Sequence, residues 1–255
     1  MFINSIDIRE ITSSIKKYIN TNTALISVGE HTEINIKELV NSLNKNGISF
    51  IGGIFPKVIF NNATYEKGIV VSSLYNVVHL STINNISKKQ YTVSPFFFEN
   101  NKNYSLITYV DGLTSYISNF LSKLYENYGM KTNYFGGGAG SLSLKQAPCI
   151  FSKDGFFEDA AVVCIMEMKS SIGVKHGWKK LEGPYIVTKA KKNIIEEINW
   201  EAPFDIYQKI VEKDTQTKFT KDNFFQMAMG YPLGIIKQGV DYIIRDLFLL
   251  ATKRL

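Results

Sequence analysis

Residues 133–163 read NYFGGGAGSLSLKQAPCIFSKDGFFEDAAVV, and the four glycines from Gly136 to Gly140 decide how the rest of the chain is understood. A phosphate loop needs backbone N–H groups converging on an anion and a helix that opens directly after it. The P-loop also needs Lys and then Ser or Thr after its last glycine, whereas Gly140 is followed by Ser141, Leu142 and Ser143. A dinucleotide fingerprint starting at Gly136 would require glycine at 141, which is Ser141. The stretch after Gly140 alternates, with Pro148 inside it, so no helix opens there. The glycines therefore read as strand positions where another backbone or a ligand comes close.

The segment SFIGGIFPKVIFNNATYEKGIVVSSL, residues 49–74, repeats the pattern. Phe50 precedes Gly52-Gly53 as Phe135 precedes Gly136-Gly137, Ile59-Phe60 answers Ile150-Phe151, and Glu66 answers Glu158 before a Val-rich strand. Upstream, ALISVGE (24–30) and YSLITYV (104–110) read as buried strands. Each leads to an amphipathic helix. Ile36, Leu39, Val40 and Leu43 mark the first, with Gly47 as its stop; Leu113, Tyr116, Ile117, Phe120, Leu121 and Leu124 mark the second, with Gly129. The expected fold is mixed α/β (α+β). Two strand–helix–strand–hairpin units, 24–74 and 104–165, form either two lobes with a cleft or one pseudo-symmetric system of sheets flanked by helices.

Outside these units, Ile6, Ile8, Ile11, Ile15 and Ile19 predict an amphipathic N-terminal helix. Beyond residue 165, GPYIVTKAKKNIIEEINW predicts a hairpin turning at Lys191-Lys192-Asn193. Helices are expected over Pro203–Val211 and Asp222–Met229, a linker over Thr215–Thr220, and strand-like chain in DYIIRDLFLLATKRL. The domains expected are 1–212 and 213–255.

Hydrophobic residues make up 45% and charged residues 20% of 255, as in ordinary globular proteins, and no apolar run reaches the ~20 residues of a membrane span. MFINSIDIREITSSIKKYI lacks the basic start and apolar stretch of a signal peptide. Cys149 and Cys164 suit free thiols in a reducing cytoplasm. The net charge of +6 comes from scattered lysines. Its densest group (Lys175, Lys179, Lys180, Lys189, Lys191 and Lys192) reads as a solvated face rather than a nucleic-acid groove.

From about Leu25 onward the chain resembles the FIST domain, a sensory domain of signal-transduction proteins. The resemblance rests on LITYVDGL, FGGGAG, FEDAAVVCI, the run KHGWKKLEGPYIVTKAKKNIIEEINWEAPFDIYQKI, and YPLGI followed by DYIIRD, in that order. It implies a cytoplasmic module that binds a small molecule such as an amino acid and signals through a separate protein such as a histidine kinase or diguanylate cyclase. It also implies a C-terminal portion longer than the stretch present up to Leu255. Asp111, Gly136, Gly137, Gly138, Tyr185 and Thr188 are the ligand-binding candidates. The alternative is a haem-based nitric oxide sensor, with His176 as axial ligand. His31 and His79 read as turn and strand residues, and no metal-ligand spacing occurs. No nucleophile, base and orienting group fall together, so an enzyme is not expected, and a cleft enzyme of unknown reaction ranks last. Neither nucleic acid nor membrane insertion is expected among the interactions.

Overall fold

The structure, a computed structural model, describes residues 1–21, 23–191, 194–236 and 242–247. Lys192 and Asn193 of the expected basic turn, and Asp241 and residues 248–255 of the last segment, lie outside them. The chain forms two compact units, Met1–Ile172 and Gly173–Leu255.

In the first unit, strand β1 (Phe2–Ile3) leads to helix α1 (Ile8–Tyr18), where the Asp7 carboxylate accepts hydrogen bonds from the Arg9 and Glu10 amides. This cap satisfies N–H groups that have no partner inside the helix. Ile11 and Ile15 are fully buried, as the periodicity predicts, while Ile6 precedes the helix and is exposed. Strand β2 (Thr23–Gly29) comes next, then α2 (Ile36–Lys45), capped by Asn35, and β3 (Ser49–Phe55). Gly47 ends α2 at φ +68°, where glycine is favoured. The hairpin β4 (Val58–Phe60) and β5 (Ala63–Tyr65) precedes β6 (Ile69–Ser73). After β7 (Val77–Asn84) come β8 (Tyr104–Asp111), α3 (Ile117–Tyr128) and β9 (Thr132–Ala139). The hairpin β10 (Ile150–Ser152) and β11 (Gly155–Phe157) then leads to β12 (Ala160–Met166).

β2 runs parallel to β3 and antiparallel to β6; β8 runs parallel to β9 and antiparallel to β12. The first sheet is ordered β1-β6-β2-β3-β10-β11 and the second β7-β12-β8-β9. The two segments therefore do not form lobes with a cleft between them. Their sheets stack face to face, because strand alternation gives each sheet two apolar faces. Ala24, Ile26 and Val28 of β2 meet Ile11, Ile15, Leu39 and Leu43 of the helices. Leu25 instead faces the other sheet, in a layer with Ile51, Ile150, Val162 and Cys164. On the far side, Val163 and Ile165 join Leu106, Phe120, Leu124 and Tyr128. The layers thus run helices, sheet, sheet, helix, and Ser27 and Tyr109 join the two sheets by a hydroxyl–hydroxyl hydrogen bond of 3.0 Å.

The buried stripe of α3 is Phe120, Leu124 and Tyr128. Tyr116 and Leu121, expected on that face, are exposed, because the helix begins at Ile117 and turns a stripe of four-residue spacing toward the sheet.

The second unit contains the hairpin β13 (Val187–Lys191) and β14 (Ile194–Ile198), and α4 (Pro203–Thr215), which runs past the expected end at Val211. It continues with α5 (Phe224–Gly230), β15 (Leu233–Ile236) and β16 (Tyr242–Arg245). The expected linker lies inside this unit: Phe219 is buried with Val211, Phe224 and Ala228, and its amide donates to Glu212.

Candidate functional site

The C-terminal ends of β2 and β8 make the same turn. Thr32 donates its amide to Gly29 O (2.9 Å) and Glu30 to Phe55 O (2.8 Å); Thr114 donates to Asp111 O (3.2 Å) and Gly112 to Ala139 O (2.8 Å). The second turn adds a carboxylate. Asp111 is 1% exposed, and its Oδ1 accepts from the Leu113 amide (3.0 Å). Its Oδ2 accepts from the Asp159 amide (2.7 Å) and Gln146 Nε2 (3.0 Å). Such a set compensates the burial of a charge. The position of Asp111 ahead of a helical stripe suggests a helix cap. It instead closes a local turn, and α3 starts after Tyr116, at φ 69°, with no side-chain cap.

Asp159 extends this knot. Its Oδ1 accepts from the Ser87 amide (2.9 Å) and the Thr114 hydroxyl, and its Oδ2 from the Ser87 hydroxyl (2.7 Å). Burial alone would raise the Asp159 carboxyl, but the hydrogen bonds from Thr114 and Ser87 outweigh it and hold it below its ordinary value. Residues 84–88 are thereby fastened to the end of β8. Cys149 lies beside Asp111 and Glu158, and burial first, then the Asp111 charge, pushes its thiol up to about 12. That is the opposite of an activated nucleophile.

The glycines of β9 divide into two kinds. A Cβ on Gly136 would overlap the Thr108 carbonyl oxygen, and one on Gly138 would stand 3.2 Å from the Gly112 Cα. These two are close-approach positions. Gly137 has nothing within 4 Å of its Cβ position. On the first sheet, Gly52 has its open side filled by the ring of Phe151.

Above the knot lies an open cleft of about 460 Å³, lined by Asn84, Asn85, Pro148, Phe156, Phe157 and Glu158. Asn85 holds a left-handed conformation at φ 59° that asparagine tolerates. The cleft offers two amides, a carboxylate and two aromatic rings, a combination suited to a small polar molecule with one apolar side. A second concavity, about 350 Å³, lies at the end of β2 beside Thr32, Asn35 and Phe156. Of the cleft residues, Glu158 is visible in the sequence as a repeat marker. Asn84-Asn85 carries only a turn signal.

Asp111 and Gly136–Gly138 belong to the first unit; Tyr185, Thr188 and His176 belong to the second. Thr188 Oγ1 accepts from the Trp200 amide (3.0 Å), so it serves the hairpin. The Tyr185 hydroxyl is raised by burial and by neighbouring Glu182. His176 Nδ1 is buried with no hydrogen-bond partner, the one feature that recommends it as a ligand. Its flanking chain does not fit haem: Val174 is 89% and Trp178 44% exposed, whereas an axial histidine needs an apolar wall around the porphyrin. Among the described residues, no cluster of His, Cys, Asp and Glu is arranged to hold a metal, and no helix is long and apolar enough to cross a membrane.

Residues 83–201 match the family model of the FIST N domain. The match begins within β7, later than the Leu25 expected from the motifs, and ends just after β14. It includes the Asp111 knot, the glycine strand and every residue lining the larger cleft. No curated protein matches the chain.

Proposed function

We propose, from the premise that residues 83–201 are a FIST N domain and hence a sensory domain of signal-transduction proteins, that the cleft above the Asp111–Asp159 knot is the sensing site. The observation that carries this reading is that all six lining residues fall inside the matched segment. The ligand class is a small polar metabolite, an amino acid in the first instance. Glu158 suits an ammonium group, the Asn84 and Asn85 amides suit a carboxylate, and Phe157 suits an apolar side chain.

The knot gives binding a route outward. Residues 84–88 are tied through Ser87 to Asp159, and Asp159 is tied to Asp111 and Thr114 at the end of β8. A ligand that holds Asn85 and Glu158 together favours the closed form of this link, and a partner reading that form receives the signal as a shift in population. The partner is a separate protein such as a histidine kinase or diguanylate cyclase, acting with this chain in the cytoplasm. The protein is a sensor rather than an enzyme.

Thermal-shift screening of the amino acids, followed by calorimetric titration of the best one, tests this. Glu158→Gln and Asn85→Gly are expected to weaken binding about tenfold each, the scale of one charge-assisted hydrogen bond. Asn85→Gly preserves the left-handed turn. If no amino acid binds, or if both variants bind it unchanged, this site is wrong.

A further inference from the structure

Residues 90–103 form neither helix nor strand, and among the described residues no backbone–backbone hydrogen bond reaches them. Side chains hold this strap in place. Val93 is 5% exposed, and Phe96 and Phe98 pack into the layer of Leu106, Ile165 and Tyr128. The Tyr128 hydroxyl donates to Ser94 O (2.7 Å), and the Lys123 ammonium stands over the Tyr91 ring at 4.2 Å. A segment fastened this way opens at lower cost than the sheet beneath it. The strap also continues directly from residues 84–88, the stretch that Ser87 ties to Asp159 beside the cleft.

Under the strap lies an imidazole with no acceptor for a second N–H. His79 of β7 stands opposite Ile165 of β12, and its ring centroid is 5.8 Å from that of Phe96. Its Nε2 is buried and has no hydrogen-bond partner. Ser81, two residues on and on the same face, also has a buried hydroxyl without a hydrogen bond, though it stands near enough to the Tyr128 hydroxyl to lower that group. A neutral ring can leave Nε2 as a bare lone pair. An imidazolium carries N–H on both nitrogens, and here one of them would be a buried charged donor facing carbon.

The surroundings supply no free counter-charge. The strap and the chain after β12 contribute Glu99, Lys102 and Glu167, and Lys102 bonds both carboxylates, at 2.9 and 3.0 Å. α3 contributes Lys123, engaged with Tyr91, and Glu126, which lies toward the same ring. Tyr104 and Tyr128 bring neutral hydroxyls. Burial alone therefore sets the direction for His79, below the ordinary 6.5. Strap closure is undiminished above that ordinary value and weakens as pH falls from it toward the lowered one, because only the opened form readily takes the proton.

We propose that the strap is an acid-released latch: a proton taken up at His79 lifts Phe96 and its neighbours from β7 and slackens the 84–88 wall of the cleft. The release itself concerns this chain alone. Its consequence for ligand binding rests on the cleft being the sensing site.

Val93→Cys places a thiol under the closed strap, and the test is its rate of reaction with 4,4′-dithiodipyridine in the whole chain, relative to the same variant unfolded in urea at each pH. The unsubstituted chain, with Cys149 and Cys164 buried, is the blank. From about pH 7.5 to about pH 5.5 the relative rate is expected to rise roughly three- to tenfold, since one proton gives at most about tenfold per pH unit. Adding His79→Gln or His79→Leu, neither of which can take the proton, should make the rate independent of pH. The His79 ring C–H resonance should titrate below 6.5. A flat rate in the Val93→Cys protein, a rise that persists in both His79 variants, or a His79 titration at or above 6.5 would each overturn the latch. None of these readouts needs a ligand, so a cleft that binds no amino acid leaves the latch standing. Where an amino acid does bind, its affinity should fall with acid in the native chain and not in His79→Gln; an affinity unchanged while the strap opens overturns the tie to the cleft.

Discussion

The ring of Phe151 occupies the space that a side chain on Gly52 would need, and the two residues stand opposite each other where β10 pairs with β3. Phe151 is fully buried among Phe50, Leu43 and the helices of the first layer. Phe151→Ala is expected to cost about 3–5 kcal/mol, the range for a fully buried phenylalanine. Gly52→Ala should cost about 1–3 kcal/mol or more through overpacking. In the double variant the clash with the ring is removed while that with the Ile26 carbonyl oxygen, 2.7 Å from the added Cβ, remains, so its loss should be smaller than the two single losses combined by about 0.5 kcal/mol or more. Urea denaturation of the four proteins measures this cycle; strict additivity would contradict the contact.

Two neighbouring glycines of β9 should respond in opposite ways. Gly136→Ala forces a methyl group into the Thr108 carbonyl and is expected to destabilise by about 1–3 kcal/mol or more. Gly137→Ala enters open space and should change stability by less than about 0.5 kcal/mol. Equal melting temperatures for the two variants would show that the glycine run is generic loop rather than fitted strand.

Acid should loosen the Asp159 link. Its carboxyl ionises at lower pH in the fold than the ordinary 3.8, because hydrogen bonds from Thr114 and Ser87 outweigh burial. Its stabilising contribution is therefore complete above that ordinary value and is lost as pH falls through the depressed one. Asp159→Asn should lower stability at neutral pH and flatten its fall between neutral pH and pH ~3. Chemical denaturation across that range tests the slope, and an unchanged slope would count against the knot.

Neither cysteine should react in the native protein. Burial pushes Cys164 up to about 12, and burial with the Asp111 charge does the same for Cys149. A chromogenic disulfide reagent is expected to find no thiol at neutral pH and both after denaturation. Rapid native labelling of Cys149 would mean that the Asp111 region opens readily.

Haem added to the protein should give a spectrum that His176→Ala does not alter, since the exposed chain around His176 builds no porphyrin pocket. A saturable Soret band that disappears in the variant would revive the gas-sensor reading.

Local patterns carry much of the fold. The stripe Ile36, Leu39, Val40 and Leu43 locates α2, because that signal lies within one element, and the mismatch of Gly136–Gly140 with any phosphate loop leaves β9 as a strand. Three features are not legible. The sequence contains nothing to say that β10, which comes after β9, would pair with β3 instead, since that choice depends on Phe151 finding Gly52. Asp159 looks like part of a hairpin end, and its tie to Ser87 and Thr114 exists only once distant segments meet. The cleft is hidden for the same reason. Asn85 and Glu158 lie far apart in the matched segment, and Asp111, the residue that draws attention, lies beneath them with both oxygens engaged.

The crossing of β10 also fixes the order in which the protein can mature. A ribosome delivers β2, β3 and both helices of the first layer long before it delivers Ile150–Ser152. Until then β3 is an unprotected rim, with Gly52 bare and the apolar face of Phe50 waiting for Phe151. The N-terminal half is thus a receptor for its own later sequence during synthesis, and the exit of residue 152 is the moment at which that rim can close.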